Sequence, residues 1–120
     1  MGYRGQMEAL IRQSGAEARH MGHSYVGSVH LLLALCQMSG GTAQLLRSFG
    51  VEPELLRQLT MLCYGVGRPE MPLPQGMTRA ARRILRQAAV EARRQGRREV
   101  RPAHVLLAMA REEQSGAYQM

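Results

Sequence analysis

Four histidines, two cysteines and sixteen arginines are the side chains of this 120-residue chain best suited to chemistry. His20 and His23 lie close together, with Cys36 and Cys63 further along. Imidazole nitrogen and thiolate sulfur are zinc ligands, but a site needs three or four of them converging. Gly22 is expected to break the helix between the two histidines, so no metal is expected. His30 and His104 each fall in the first turn of an apolar segment. There an imidazole could act as a ligand or a base, or its ring could bond neighbouring backbone. Their recurrence at matching positions favours the structural role. Aspartate is absent, which excludes a Ser-His-Asp triad, and nothing places a glutamate beside a Ser-His pair. Lysine is absent too, which excludes a P-loop and a Schiff-base enzyme. Gly65-x-Gly67 leads into a proline-rich stretch rather than a helix, so it is no nucleotide loop. The chain reads as a non-enzyme, with no catalytic residue and no cofactor.

The arginines remain. Arg79, Arg82, Arg83, Arg86 and Arg93 follow roughly helical spacing, opposite Ile84, Leu85, Ala88 and Ala92. Such a stripe could dock an acidic adaptor, a substrate or a phosphate backbone; its bland alternative is a solvated face in an arginine-rich protein. The net charge is +7, unevenly spread. Residues 1–75 hold six Arg and five Glu, and residues 76–120 hold ten Arg and four Glu. A basic second half favours acidic partners. Nucleic acid is the weaker choice, because no aromatic stacking platform accompanies the arginines.

These side chains are positioned by an internal repeat. The first third of the chain realigns on the last third, without gaps, at an offset of 74 residues. The offset pairs His30 with His104, Gln13 with Gln87, Glu17 with Glu91, Gly22 with Gly96, and Leu32-Leu33-Ala34 with Leu106-Leu107-Ala108. Repeats bury their apolar faces against their copies, and two copies favour a closed globule over a solenoid. The apolar period is helical throughout. Helices are expected over residues 6–21, 30–38, 42–49, 53–63, 79–95 and 103–113, and a seventh starts near Gly116. Ser28 and Thr78 are the expected N-caps, and Gly22, Gly50 and Gly96 the stops. The expected fold is all-α, one domain over residues 1–120. It comprises a first repeat at about 6–63, a Pro/Gly-rich linker at 64–76, and an incomplete second repeat at about 77–120. The second copy stops at the partner of Leu46, so the helices after that point have no counterpart in it. With few aromatic residues the core must be aliphatic, filled out by some of the nine methionines. No secretory signal and no apolar run long enough to cross a membrane is evident, so two free thiols in the cytoplasm are expected.

The run from Ala18 through Gly22-His23, Val26-Gly27-Ser28 and His30-Leu31-Leu32-Leu33-Ala34-Leu35 resembles the amino-terminal repeat of Clp proteins of the ClpC and ClpA type. Glu91-Ala92-Arg93-Arg94-Gln95-Gly96 through His104-Val105-Leu106-Leu107-Ala108 is a looser second copy. The resemblance implies two tandem four-helix repeats with pseudo-twofold symmetry, here with the second truncated. It also implies a non-catalytic domain that recruits unfolded or tagged substrates and adaptor proteins to an AAA+ unfoldase ring. The alternatives are a free-standing Clp-like adaptor and an arginine-mediated nucleic-acid binder. Binding is expected in the groove between the repeats and on exposed Met and Leu. In the branch of the family that binds phosphoarginine, a glutamate precedes each repeat histidine. Here those positions are Val29 and Ala103, neither of which can pair with a guanidinium.

Overall fold

Glycine and proline punctuate the described residues into six helices. The computed structural model describes residues 5–23, 25–38, 40–64 and 76–111. The helices are α1 (Gln6–His20), α2 (Ser28–Gln37), α3 (Gly41–Ser48), α4 (Pro53–Tyr64), α5 (Arg79–Arg94) and α6 (Pro102–Arg111). The fold is all-α; among the described residues the only extended pairing is an isolated bridge between Val26 and Met77. Most of the expected linker and the whole of the expected seventh helix lie outside the described residues.

The helix ends show why the two halves fold alike. Gly22 and Gly96 both turn left-handed, with φ of 72° and 71°. After α1, the Gly22 amide donates to the Arg19 carbonyl (3.0 Å) and the His23 amide to the Ala18 carbonyl (2.9 Å). After α5, Gly96 donates to Arg93 and Arg97 to Ala92, both at 2.9 Å. These are matching Schellman closures, and glycine fits them because a Cβ is disfavoured at positive φ. Thr78 caps α5 as expected, its Oγ1 accepting from the Ala81 amide at 3.1 Å.

The expectation that Ser28 caps α2 is corrected. Gly27 holds the cap position, and Ser28 is the first helical residue, buried in the first turn. Its repeat equivalent is Pro102, likewise the first residue of α6. Proline suits that place because the amide it lacks would have no partner within the helix. The capping chemistry belongs instead to the histidines described below.

Helix α2 is apolar nearly all round and lies at the centre. It packs on α1, α3, α4, α5 and α6, while α5 and α6 pair as α1 and α2 do. Leu31, Leu33, Leu35, Leu10, Ile84 and Val105 are fully buried and form the middle of the core. Met7, Met21 and Met109 join them, whereas Met38, Met61 and Met77 pack partly buried at its edge. Among the described side chains of α4, Leu56 and Thr60 are buried, while Leu55, Leu59 and Leu62 are exposed. Thr60 is accommodated because its hydroxyl donates to the Leu56 carbonyl at 2.6 Å, as Ser14 does to Leu10 at 2.7 Å. Among the described residues no single helix is long and apolar enough to cross a membrane.

Candidate functional site

His30 and His104 occupy the third position of their helices and reach back to the cap. His30 Nδ1 accepts the Gly27 amide at 2.8 Å, and His104 Nδ1 accepts the Arg101 amide at 2.9 Å. Each ring thus does what Glu or Gln does at that position in a capping box. With Nδ1 accepting, the neutral ring carries its proton on Nε2. His104 Nε2 donates to Gln95 Oε1 at 3.0 Å, while His30 Nε2 donates to His23 Nδ1 at 2.8 Å. Burial pushes His30 down to about 4, the charge of His23 acts the same way, and Glu17 opposes them. His104 is also lowered, by burial and then by Arg97 and Arg101. Each ring is thus engaged at both nitrogens, and for each the charged form is disfavoured. His20 sits exposed at the end of α1, away from this pair. Among the described residues no three His, Cys, Asp or Glu side chains come together to hold a metal. Cys36 is a buried free thiol whose pKa burial raises to about 11, which suits packing rather than reactivity.

The offset of 74 pairs Glu17 with Glu91, and their place in the sequence alone assigns them no role. Both are buried, at 4% exposure. Glu17 accepts from Arg57 (2.8 and 3.1 Å), Gln37 (2.6 Å) and Gln13 (3.4 Å). Burial alone would raise its pKa, but these bonds and the Arg57 charge outweigh it and hold the carboxylate below its usual range. Glu91 accepts from Gln87 at 3.1 Å and pairs with Arg111 at 3.2 Å and Arg94 at 3.6 Å. Gln13 matches Gln87 and Gln37 matches Arg111 at the same offset. The repeated Gln-x-x-x-Glu was the signal available in the sequence. What it could not show is that the cation on Glu17 comes from α4, forty residues away.

Of the arginine stripe, Arg79, Arg82, Arg86 and Arg93 are exposed and Arg83 is half-buried. Arg83 and Arg86 line a groove of about 390 Å3 between α5 and α6, together with Ile84, Val90, Ala108 and Arg111. Arg79, Arg82 and Arg93 do not line it.

A second concavity, of about 330 Å3, lies where the two halves meet. The first half contributes His23, Tyr25, Val29 and the first turn of α2, and the second contributes Thr78 and Ala80. Backbone pairing holds these walls together: the Val26 amide donates to Gly76 and the Thr78 amide to Val26, both at 2.8 Å. Tyr25 is half-exposed at the rim. No carboxylate lines the pocket, and its surface is mainly apolar. Such a site can hold an aliphatic or aromatic side chain but offers nothing to neutralise a guanidinium.

Comparison with known proteins sets this geometry in context. Residues 3–120 match the profile of the Clp repeat (R) N-terminal domain. The chaperone protein ClpC2 of Arabidopsis thaliana chloroplasts is 32% identical over 104 residues, which are 86% of this chain and 11% of that protein. A ClpA homolog of Guillardia theta, an ATP-binding subunit of the ATP-dependent Clp protease, is likewise 32% identical over 86% of this chain and 13% of its own length. The chain thus spans little more than a tenth of the curated relatives it matches. In fold it is similar to the crystal structure of the N-terminal domain of the chaperone ClpD from Arabidopsis thaliana. That comparison has a TM-score of 0.74 and 16% identity, and it covers 98% of this chain and 82% of that one.

Proposed function

This chain belongs to the family of Clp repeat N-terminal domains, and from that premise we propose that it is a non-catalytic recognition domain. It holds substrate or adaptor proteins for a Clp-type ATP-dependent unfoldase. The family match covers the N-terminal domain and not an ATPase module. On this reading the domain is a pair of tandem four-helix repeats, supported by the matched helix closures and histidine caps at the offset of 74. A reducing, cytoplasmic compartment agrees with the buried thiol of Cys36.

The observation that carries the reading is the apolar pocket between the halves. Its walls are fixed by the Val26 backbone pairing, so it is preformed, and Tyr25 stands at its mouth. Unfolded and tagged proteins present apolar side chains that folded proteins bury, and a preformed apolar pocket takes them with little ordering cost. Fluorescein-labelled unfolded casein is expected to bind the chain in anisotropy titrations. Tyr25→Ala and Val29→Glu should each weaken that binding about tenfold, or roughly 1.4 kcal/mol. Casein binding unchanged in both variants would sink this site.

A second expectation concerns phosphoarginine. Val29 lines the pocket and no carboxylate does, and the equivalent position in the second half is the exposed Ala103. Calorimetric titration of the chain with phosphoarginine should give no saturable heat. Micromolar binding would contradict the assignment of the pocket to apolar side chains.

A further inference from the structure

Arginine stands on α5 where the physics of a helix end favours the opposite charge. Arg79 and Arg82 occupy its first turn, which holds no acid. The helix dipole puts partial positive charge there, so carboxylates are favoured and cations disfavoured. The first half complies: Glu8, the equivalent of Arg82 at the offset of 74, lies in the first turn of α1. Arg86 and Arg93 continue the row at four and then seven residues further on. At about 3.6 residues per turn, the four side chains fall within an arc of about 60°, in a line about 21 Å long. All four are exposed. Like charges three and four places apart on a helix repel each other. Among the described residues none of the four meets a carboxylate; Glu91 of α5 is buried and engaged with Arg94 and Arg111.

The fold does not require this row. At the equivalent places the first half has Gly5, Glu8, Arg12 and Arg19, all exposed although α4 is packed into that half. The row therefore occupies a side of the repeat that packing of its own helices leaves to solvent. Natural sequences break such local preferences mostly where function requires it. A straight row of guanidinium groups on a convex helix matches one extended chain carrying several anionic groups. A strand spans the row in about six or seven residues, with alternate side chains on one face about 7 Å apart. Carboxylates at those positions meet successive arginines through charge-assisted hydrogen bonds. A nucleic-acid strand would call for aromatic rings beside the cations. The exposed aromatic residues among those described, Tyr25 and Phe49, belong to the first half.

We propose that the arginine row of α5 docks an extended acidic segment of a partner protein, with glutamate or aspartate at alternate positions. The surface is separate from the apolar pocket beside Tyr25, none of whose lining residues is an arginine. It selects its partner by charge rather than by apolar side chains, so it stands or falls apart from the reading of that pocket.

The test titrates the 120-residue chain into a fluorescein-labelled peptide of about twelve residues that alternates glutamate with serine. A second peptide has glutamine in place of every glutamate, and a third probe is oligothymidylate of equal charge. The glutamate peptide is expected to bind at least tenfold more tightly than the glutamine peptide, and to weaken as salt is raised. Arg82→Glu and Arg93→Glu should each weaken it about tenfold. Arg19→Glu makes the same change of charge at the exposed equivalent of Arg93, in the last turn of α1, and should alter affinity less than twofold. Arg82→Glu restores an acid to a first turn, so it should melt no lower than the parent, which separates lost binding from lost folding. Tyr25→Ala should bind the glutamate peptide as the parent does. Equal affinity for the two peptides overturns the proposal. So does an equal loss in Arg19→Glu and Arg93→Glu, which would reduce the effect to net charge. Loss of the peptide in Tyr25→Ala would place it in the apolar pocket instead, and tighter binding of oligothymidylate would make the row a nucleic-acid surface; either result also overturns it.

Discussion

Leu33→Ala is expected to cost about 3 kcal/mol of stability and Leu107→Ala only about 1 kcal/mol, although the repeat makes the two leucines equivalent. Leu33 is fully enclosed because α2 is packed by α3 and α4 as well as by α1, α5 and α6. Truncating it removes the transfer free energy of the lost methyl groups and leaves a cavity that five neighbouring helices cannot all collapse into. Leu107 on α6 is only half-buried, so water already reaches part of it and truncation opens no closed cavity. Urea denaturation followed by circular dichroism, with similar m-values for parent and variants, reads the difference directly. Equal costs would mean that Leu107 is enclosed as completely as Leu33.

The asymmetry also shows how far the sequence could be read. The offset of 74 places both histidine caps and both glycine closures, since each depends on a few residues within one turn. Local chemistry of this kind is legible because the interacting groups are close in sequence. Ser28 shows the limit of the rule: its side chain is a good capping group, but the ring of His30 holds the cap amide and the cap falls one residue earlier, at Gly27. The pocket beside Tyr25 was less accessible, because its walls come from residues 23–30 and 78–80, joined by a backbone bridge that leaves no hydrophobic period. The Glu17–Arg57 pair was out of reach for the same reason. The stripe of arginines is legible as a face of α5; that Arg83 and Arg86 border the groove between α5 and α6 is not. Exposure of Leu55, Leu59 and Leu62 on α4 could not be foreseen from a helical period that fits a buried face equally well.

Acidification is expected to remove about 3 kcal/mol of stability through His30 alone. Its folded pKa is lowered from 6.5 to about 4. The unfolded chain therefore binds the proton more readily than the folded one, and stability falls as the pH drops. The contribution is complete above about 6.5, declines across the interval below it, and is exhausted once the pH passes about 4. The structural cause is specific. His30 Nδ1 already accepts the Gly27 amide, and Nε2 already donates to His23, so an added proton must displace the cap bond and leave a charge at 3% exposure. His104 is lowered in the same direction and adds to the slope. Glu17 is lowered too, but a carboxylate held low by its partners loses its contribution only at the acid end, below its ordinary value of 4.5. The histidines should therefore govern the upper part of the acid transition and Glu17 the lower part. Melting curves from pH 7.5 to 4, with the imidazole resonances followed by NMR, separate them. His30 should titrate near 4 in the folded protein, and the loss of stability should begin more than a unit above the range where Glu17 acts. A flat stability profile between pH 7 and 5, or a His30 resonance titrating near 6.5, would show that the ring does not hold the first turn of α2. The pocket beside it would then lose the wall that the capped turn provides, because His30 and Val29 belong to the same turn that Gly27 anchors.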